Sequence, residues 1–237
     1  PKDITDRNRT SPFAFTGNKF EFRMVGSSAS IAGPNFVLNS AVADILSEVA
    51  DRLEKAEDKL CEAKKITAEF IKKHKRIIFN GDNYSEEWIK EAERRGLPNI
   101  TNFIDAKKTL LLEKNIEMFS RQGVLSEKES LSRYEILMEN YNKTINIEAL
   151  TAVEMAKRDI LPAVMRYLGD LSHAYNQMKA TGVNHVLETQ EELLEEISSR
   201  AASAYAKVKE LEKAVAETAA IHDVTIQGTC YRDRVIP

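Results

Sequence analysis

From Leu194 to Val215 the chain places apolar or small residues at alternating steps of three and four. Leu194, Ile197, Ala201, Ala204, Val208, Leu211 and Val215 keep that rhythm, and Leu187 lies one heptad earlier. On a helix with 3.6 residues per turn these positions form one narrow stripe. Such a stripe is covered best by another long helix lying along it. The sequence therefore predicts a long last helix, residues 186–221, whose seam is buried against the long helices before Gly182 or serves as a subunit contact.

The rest of the chain after Asn35 also reads as helix. A first helix starts near Pro34, a favoured first-turn residue, with Val37, Val42, Ile45, Leu46, Val49 and Leu53 at helical spacing. A second runs to about Phe79 and carries the basic run Lys72 to Arg76. The turn Asn80 to Ser85 leads to a short helix capped by Ser85 and ended by Gly96-Leu97-Pro98. A further helix covers 103–121. Ser126 to Glu129 has the pattern of a capping box and opens a long helical region. Pro162 should kink or divide that region, because it lacks an N–H and clashes with the preceding turn. Gly182 should end it. Met155, Met165 and Met178 suit core filling.

Charge and cysteine content exclude several classes. The net charge is −3 with acids and bases interleaved, which gives no support to a nucleic-acid partner. The basic run Lys72 to Arg76 lacks interleaved aromatics and reads as a solvated helix end. Two cysteines cannot build a disulfide framework, which favours a cytoplasmic location. The four histidines have no ligand spacing. No apolar run nears the roughly 20 residues of a membrane helix, and three Asn-x-Thr sequons, at Asn8, Asn99 and Asn142, are read as chance matches. A first residue that is Pro, and a last segment with no terminating pattern, lead us to expect a fragment of a longer protein.

Residues 1–34 differ from the rest of the chain. They hold three of the nine glycines and three of the six prolines, so loops dominate. Within them Asn18 to Met24 alternates strictly, with Phe20, Phe22 and Met24 on one side of a strand and Lys19, Glu21 and Arg23 on the other. Positions i and i+2 lie about 7 Å apart, so a carboxylate stands between two cations. By itself that is more often a solvated face than a site. The loop Gly26 to Gly33 lacks the Lys-Ser/Thr of a phosphate-binding loop and reads as a sheet-to-helix connection.

The neighbouring residues add a resemblance. Asn8-Arg9-Thr10, the loop to Asn18, the strand ending Glu21-Phe22-Arg23 and the loop to Pro34-Asn35 resemble the closing active-site segment of glutamine synthetases, and the wording resembles the type III branch. So do KKHKRIIFNGDNYSEEW from Lys72, the segment Ser132 to Leu150, and MAKRDILPAV from Met155. The resemblance covers nearly the whole chain and corresponds to the C-terminal third of the longer type III enzymes.

It implies a mainly α fold of long helices in a bundle, residues 35–237. One or two short strands in residues 1–34 would belong to the catalytic sheet of the intact enzyme. It implies ATP-dependent ligation of ammonia to L-glutamate through a γ-glutamyl phosphate, with Mg²⁺ or Mn²⁺. Glu21 matches a metal ligand, Arg9 an arginine acting on the nucleotide phosphates, Arg23 an arginine on the γ-carboxylate, and Lys19 a basic residue near the nucleotide. The chemistry agrees, since an anionic phosphoryl group in transfer needs carboxylate-held metals and arginines. Many relatives carry a second arginine at the position of Ala14; either Lys19 fills that role or the contact is absent. The resemblance also implies a cytoplasmic homo-oligomer of stacked rings. The remaining site residues would come from outside this chain, so the chain alone should be inactive. A helical structural or interaction module without catalysis is the alternative reading.

Overall fold

The structure is a computed structural model that describes residues 13–15, 20–22, 29–182 and 185–237. Two three-residue strands, β1 (Phe13–Phe15) and β2 (Phe20–Phe22), pair antiparallel with Phe13 opposite Phe22, Ala14 opposite Glu21 and Phe15 opposite Phe20. Whether they belong to a larger catalytic sheet is a question for residues outside the described ones. The other described residues are helix and connection, and the chain forms two compact units divided between Leu131 and Ser132.

The first unit is built from α1 (Ala32–Glu54), α2 (Lys59–His74), α3 (Glu86–Arg94), α4 (Phe103–Lys108) and α5 (Glu113–Arg121). Ser85 caps α3 by accepting from the Trp88 N–H, and Gly96 follows at φ 66°, a left-handed value that glycine adopts without Cβ strain. The region 103–121 is not one helix. The Asn102 side chain accepts from the Asp105 N–H to start α4, and Leu112 is extended before α5. The Asn115 amide meanwhile donates to the Thr109 carbonyl. Short polar side chains that bond nearby backbone offer an alternative to the helical ladder, and here they win. The second helix likewise stops at His74, and a 3-10 turn, Lys75–Ile77, follows. Ile66, Ala92, Ile104, Phe119 and Leu125 are buried, with the Phe36 ring 5.8 Å from Phe119. The apolar stripe of α1 is covered only in part. Val37, Val49 and Leu53 are half-buried, but Val42, Ile45 and Leu46 stay exposed.

The long helix α6 (Glu127–Met155) opens on the expected capping box: Glu129 accepts from the Ser126 N–H, and Ser126 Oγ accepts from the Glu129 N–H. It then passes through a π-helical turn, Ala156–Ile160, into α7 (Leu161–Thr181). The Leu161 N–H bonds the Ala156 carbonyl, the five-residue step of a π-turn. The widened turn falls immediately before Pro162, whose ring would strike a carbonyl four residues back in an ordinary helix. The expected interruption thus takes the form of a bulge. Gly182, at φ 75°, ends α7.

The last long helix, α8 (Leu187–Ala219), runs antiparallel to α7, as the Lys157–Glu212 ion pair and the short connection at 182–186 require. Its seam is the expected one. Ala201 and Val215 are buried, and Leu187, Leu194, Ile197, Val208 and Leu211 are half-buried; Ala204 alone is exposed. Gln190 and Thr218 extend the same rhythm one step at each end, with Thr218 wholly buried. Facing it, α7 shows Leu161, Val164, Leu168, Leu171, Tyr175 and Met178 at steps of three and four, all half-buried. The two helices therefore form an antiparallel heptad hairpin. Met155 and Met165 are not core residues: both are more than half exposed, and among the described methionines Met138 is the buried one. A methionine on a helix fills a gap only where a neighbouring element covers it, and none among the described residues does so here.

After α8 the chain turns back as α9 (Val224–Cys230) and a π-turn, Tyr231–Val235. Asp223 caps α9 through the N–H groups of Thr225 and Ile226. Tyr231 and Val235 enter a core with Ala149 and Val215, flanked by Tyr141, Ile145 and Leu211.

Candidate functional site

Four residues are expected to carry the chemistry: Arg9, Lys19, Glu21 and Arg23. Glu21 lies at the centre of β2, directly opposite Ala14 in the ladder. Ala14 stands where many members of the resembled family carry a second arginine, so this departure is the ladder partner of the residue expected to hold metal. Arg9, Lys19 and Arg23 lie outside the described residues.

Among the described residues no three of His, Cys, Asp and Glu converge as a metal site would need. No described helix is long and apolar enough to cross a membrane. What the units do hold is a set of polar joints.

In the first unit, Trp88 stacks on Phe79 at 4.5 Å, and the Arg95 guanidinium stands 5.5 Å from the Trp88 ring. Arg95 Nη1 donates to the carbonyls of Arg76 (3.0 Å) and Ile78 (2.7 Å), and its Nε donates to Glu91. The turn after α2 and the helix α3 are thereby pinned at one cation. Arg94 and then Arg95 hydrogen-bond the Glu91 carboxylate and hold it down to about 2. A second joint links α1 to α5: Asp44 accepts from Arg121 and Gln122, and the Arg121 bond holds its carboxyl below the usual range. A third links α1 to α2, where Arg52 bridges Glu62 and Glu69.

In the second unit a polar ladder ties α6 to the tail. Tyr134 Oη and Thr225 Oγ1 are 2.8 Å apart. Asn142 Nδ2 donates to the Val224 carbonyl and to Gln227 Oε1, each at 2.9 Å. Tyr231 Oη donates to Asn146 Oδ1 at 3.0 Å, and burial raises the Tyr231 phenol. Asn142 is 4 % exposed, so its sequon is part of an internal joint. The spacing Tyr134, Asn142, Asn146 on one helical face was visible in the sequence, but its partners lie some 80 residues away.

Three segments that resemble the type III enzymes contribute to these features: Phe79 and Trp88 of the first joint lie within Lys72 to Trp88, Tyr134, Asn142 and Asn146 of the ladder lie within Ser132 to Leu150, and the π-turn lies within Met155 to Val164.

Residues 62–179 match the family model described as the glutamine synthetase C-terminal domain. The chain belongs to the glutamine synthetase family. It is 42% identical over 181 residues to a type-3 glutamine synthetase of Dictyostelium discoideum, covering 75% of this chain and 25% of that protein. It is 42% identical over 185 residues to a glutamine synthetase of Butyrivibrio fibrisolvens, covering 76% and 26%. A glutamine synthetase of Bacteroides fragilis (strain YCH46) is 35% identical over 224 residues, 90% of this chain and 30% of that protein. The chain thus spans about a quarter to a third of the length of these glutamine synthetase relatives.

Proposed function

We propose that this chain is the C-terminal part of a type III glutamine synthetase, a cytoplasmic homo-oligomer of stacked rings that joins ammonia to L-glutamate with ATP. The observation that supports this reading is that residues 62–179 match that family's C-terminal domain, a span that includes the type III-like segments Lys72 to Trp88, Ser132 to Leu150 and Met155 to Val164. The helical units are then scaffold, and residues 1–34 are the part that closes the active site.

Among the described residues of the helical units no three His, Cys, Asp or Glu side chains converge as a cation site would need. Glu21 would contribute one carboxylate to a Mg²⁺ or Mn²⁺ site completed by residues outside this chain. Such a cation would neutralise phosphate charge during formation of the γ-glutamyl phosphate. Arg23 presents a planar fork that fits a carboxylate in two parallel bonds, so it would fix the γ-carboxylate of glutamate. Arg9 would place its charge on the nucleotide phosphates, and Lys19 would add a second cation there. This chain alone should not make glutamine.

The test is ATP-dependent glutamine synthesis by the full-length enzyme carrying Arg23→Lys or Arg9→Lys. A lysine keeps the charge and loses the fork, so we expect turnover to fall about 10²-fold with an unchanged melting temperature. Parental turnover in both variants would remove these residues from the site.

A further inference from the structure

The α7–α8 hairpin has one flank that the described residues leave uncovered. The Lys157–Glu212 ion pair marks that flank, and about two turns along it stand Met165 and Tyr205, 54% and 48% exposed. One turn beyond Met165 is Gly169. A Cβ there would meet nothing within 4 Å, so no described part of the chain requires a glycine at that point. A glycine inside a helix is destabilising relative to alanine and commonly marks a close approach of another backbone. Ser172, Ser198 and Ala202 continue the shallow surface around it.

The charges on α8 are unevenly spread. Glu188, Glu191, Glu192, Glu195 and Glu196 fill its first turns, and its first cation is Arg200. Glu188, Glu191 and Glu195 lie on the uncovered flank and make no ion pair among the described residues. At the other end of the flank Lys209 lies over the Tyr205 ring at 5.4 Å.

We propose that this flank pairs with the same flank of a second copy of the chain, antiparallel about a two-fold axis near Ala201. Such a contact uses one patch twice and must be self-complementary. An axis at that height carries Tyr205 to the level of Ser198, so that each aromatic enters the shallow surface of the other copy. The same axis carries Lys209 to a level between Glu191 and Glu195. One operation therefore satisfies both the shape and the charge, and Gly169 and Ala202 sit at the crossing, where two helices need small residues to come close. The contact does not depend on the catalytic reading, and its test reads association rather than glutamine synthesis.

Sedimentation velocity of the chain over rising concentration is the experiment, with far-UV circular dichroism as the folding control. The parental chain should show a reversible dimer. Gly169→Leu, which suits a helix better, should keep the helicity and sediment as a monomer where the parent is dimeric. Glu191→Lys with Glu195→Lys should weaken the dimer about tenfold at low salt. Adding Lys209→Glu to that pair should restore it. A parent that is monomeric throughout, a Gly169→Leu chain that associates like the parent, or a charge swap that restores nothing would each overturn the proposal.

Discussion

The two helical units are held in different ways. The first consists of helices of 6 to 23 residues tied by cations at their ends: Arg52 between α1 and α2, Arg121 between α1 and α5, and Arg95 at the turn before α3. The second consists of helices of up to 33 residues whose order comes from a heptad seam and a ladder of amides and hydroxyls. Short helices expose a large share of their backbone ends, so side chains that bond carbonyls and N–H groups matter more there. Long helices have few ends, and the stripe along their sides decides their partners. The first unit should therefore respond to the loss of single charges, and the second to the loss of buried area.

The chain's single tryptophan makes the two separable, since Trp88 lies in the first unit. The largest effect should come from Val215→Asp. Val215 is 2 % exposed in the core with Tyr231, and an unpaired carboxylate there costs several kcal/mol before relaxation, of the order seen for buried charges. Most helical signal from the second unit should be lost at a lower temperature, while Trp88 fluorescence keeps its transition. A coincident fall in both signals would show that the units melt as one. Tyr231→Ala should follow, at about 3–5 kcal/mol by analogy with other large core truncations, with the tail freed from Asn146. Circular dichroism melting measures it, and a midpoint near the parent's would place the tail outside the core.

Arg95→Ala should cost the first unit about 1–2 kcal/mol, because two carbonyls lose a charged donor. Trp88 fluorescence should shift with it, and the dichroism of the second unit should not. The smallest effect is one of pH. The arginines lower Glu91 from an ordinary 4.5 to about 2, so its contribution is complete above pH 4.5 and is lost as pH falls towards 2. The Trp88 midpoint should fall across that window, and Glu91→Gln should flatten that part of the curve. An unchanged slope in Glu91→Gln would assign the acid sensitivity to Asp44 or another carboxylate.

Local signals in the sequence were legible wherever one residue fixes one bond. Ser85, the Ser126–Glu129 box and Gly182 all act where they stand, and the seam from Leu194 to Val215 found a long helix before Gly182, namely α7. A stripe gives a helix but not its neighbour. Val42, Ile45 and Leu46 stand in α1 as their spacing predicts, yet among the described residues nothing covers them, and Met155 and Met165, expected as core filling, are exposed too. Partners distant in sequence were invisible too. Asn142 looks like a sequon until Val224 and Gln227 come back to it, and Asp223 looks like one more acid until it caps α9. For the candidate site, the sequence supplied the residues and the ladder added one relation, Glu21 opposite Ala14.

That relation sits at the centre of the functional account, in which the helices are scaffold and the alternating strand carries charge into the site. Steady-state glutamine synthesis by full-length enzyme carrying Glu21→Gln, titrated with Mg²⁺, tests it most directly. Glutamine preserves size and the flanking Phe20 and Phe22, and it removes one anionic oxygen donor. The account predicts an unchanged melting temperature, turnover lower by about 10²-fold or more, and a higher Mg²⁺ requirement. Near-parental turnover with the same Mg²⁺ dependence would show that the charged side of this strand is only solvated surface.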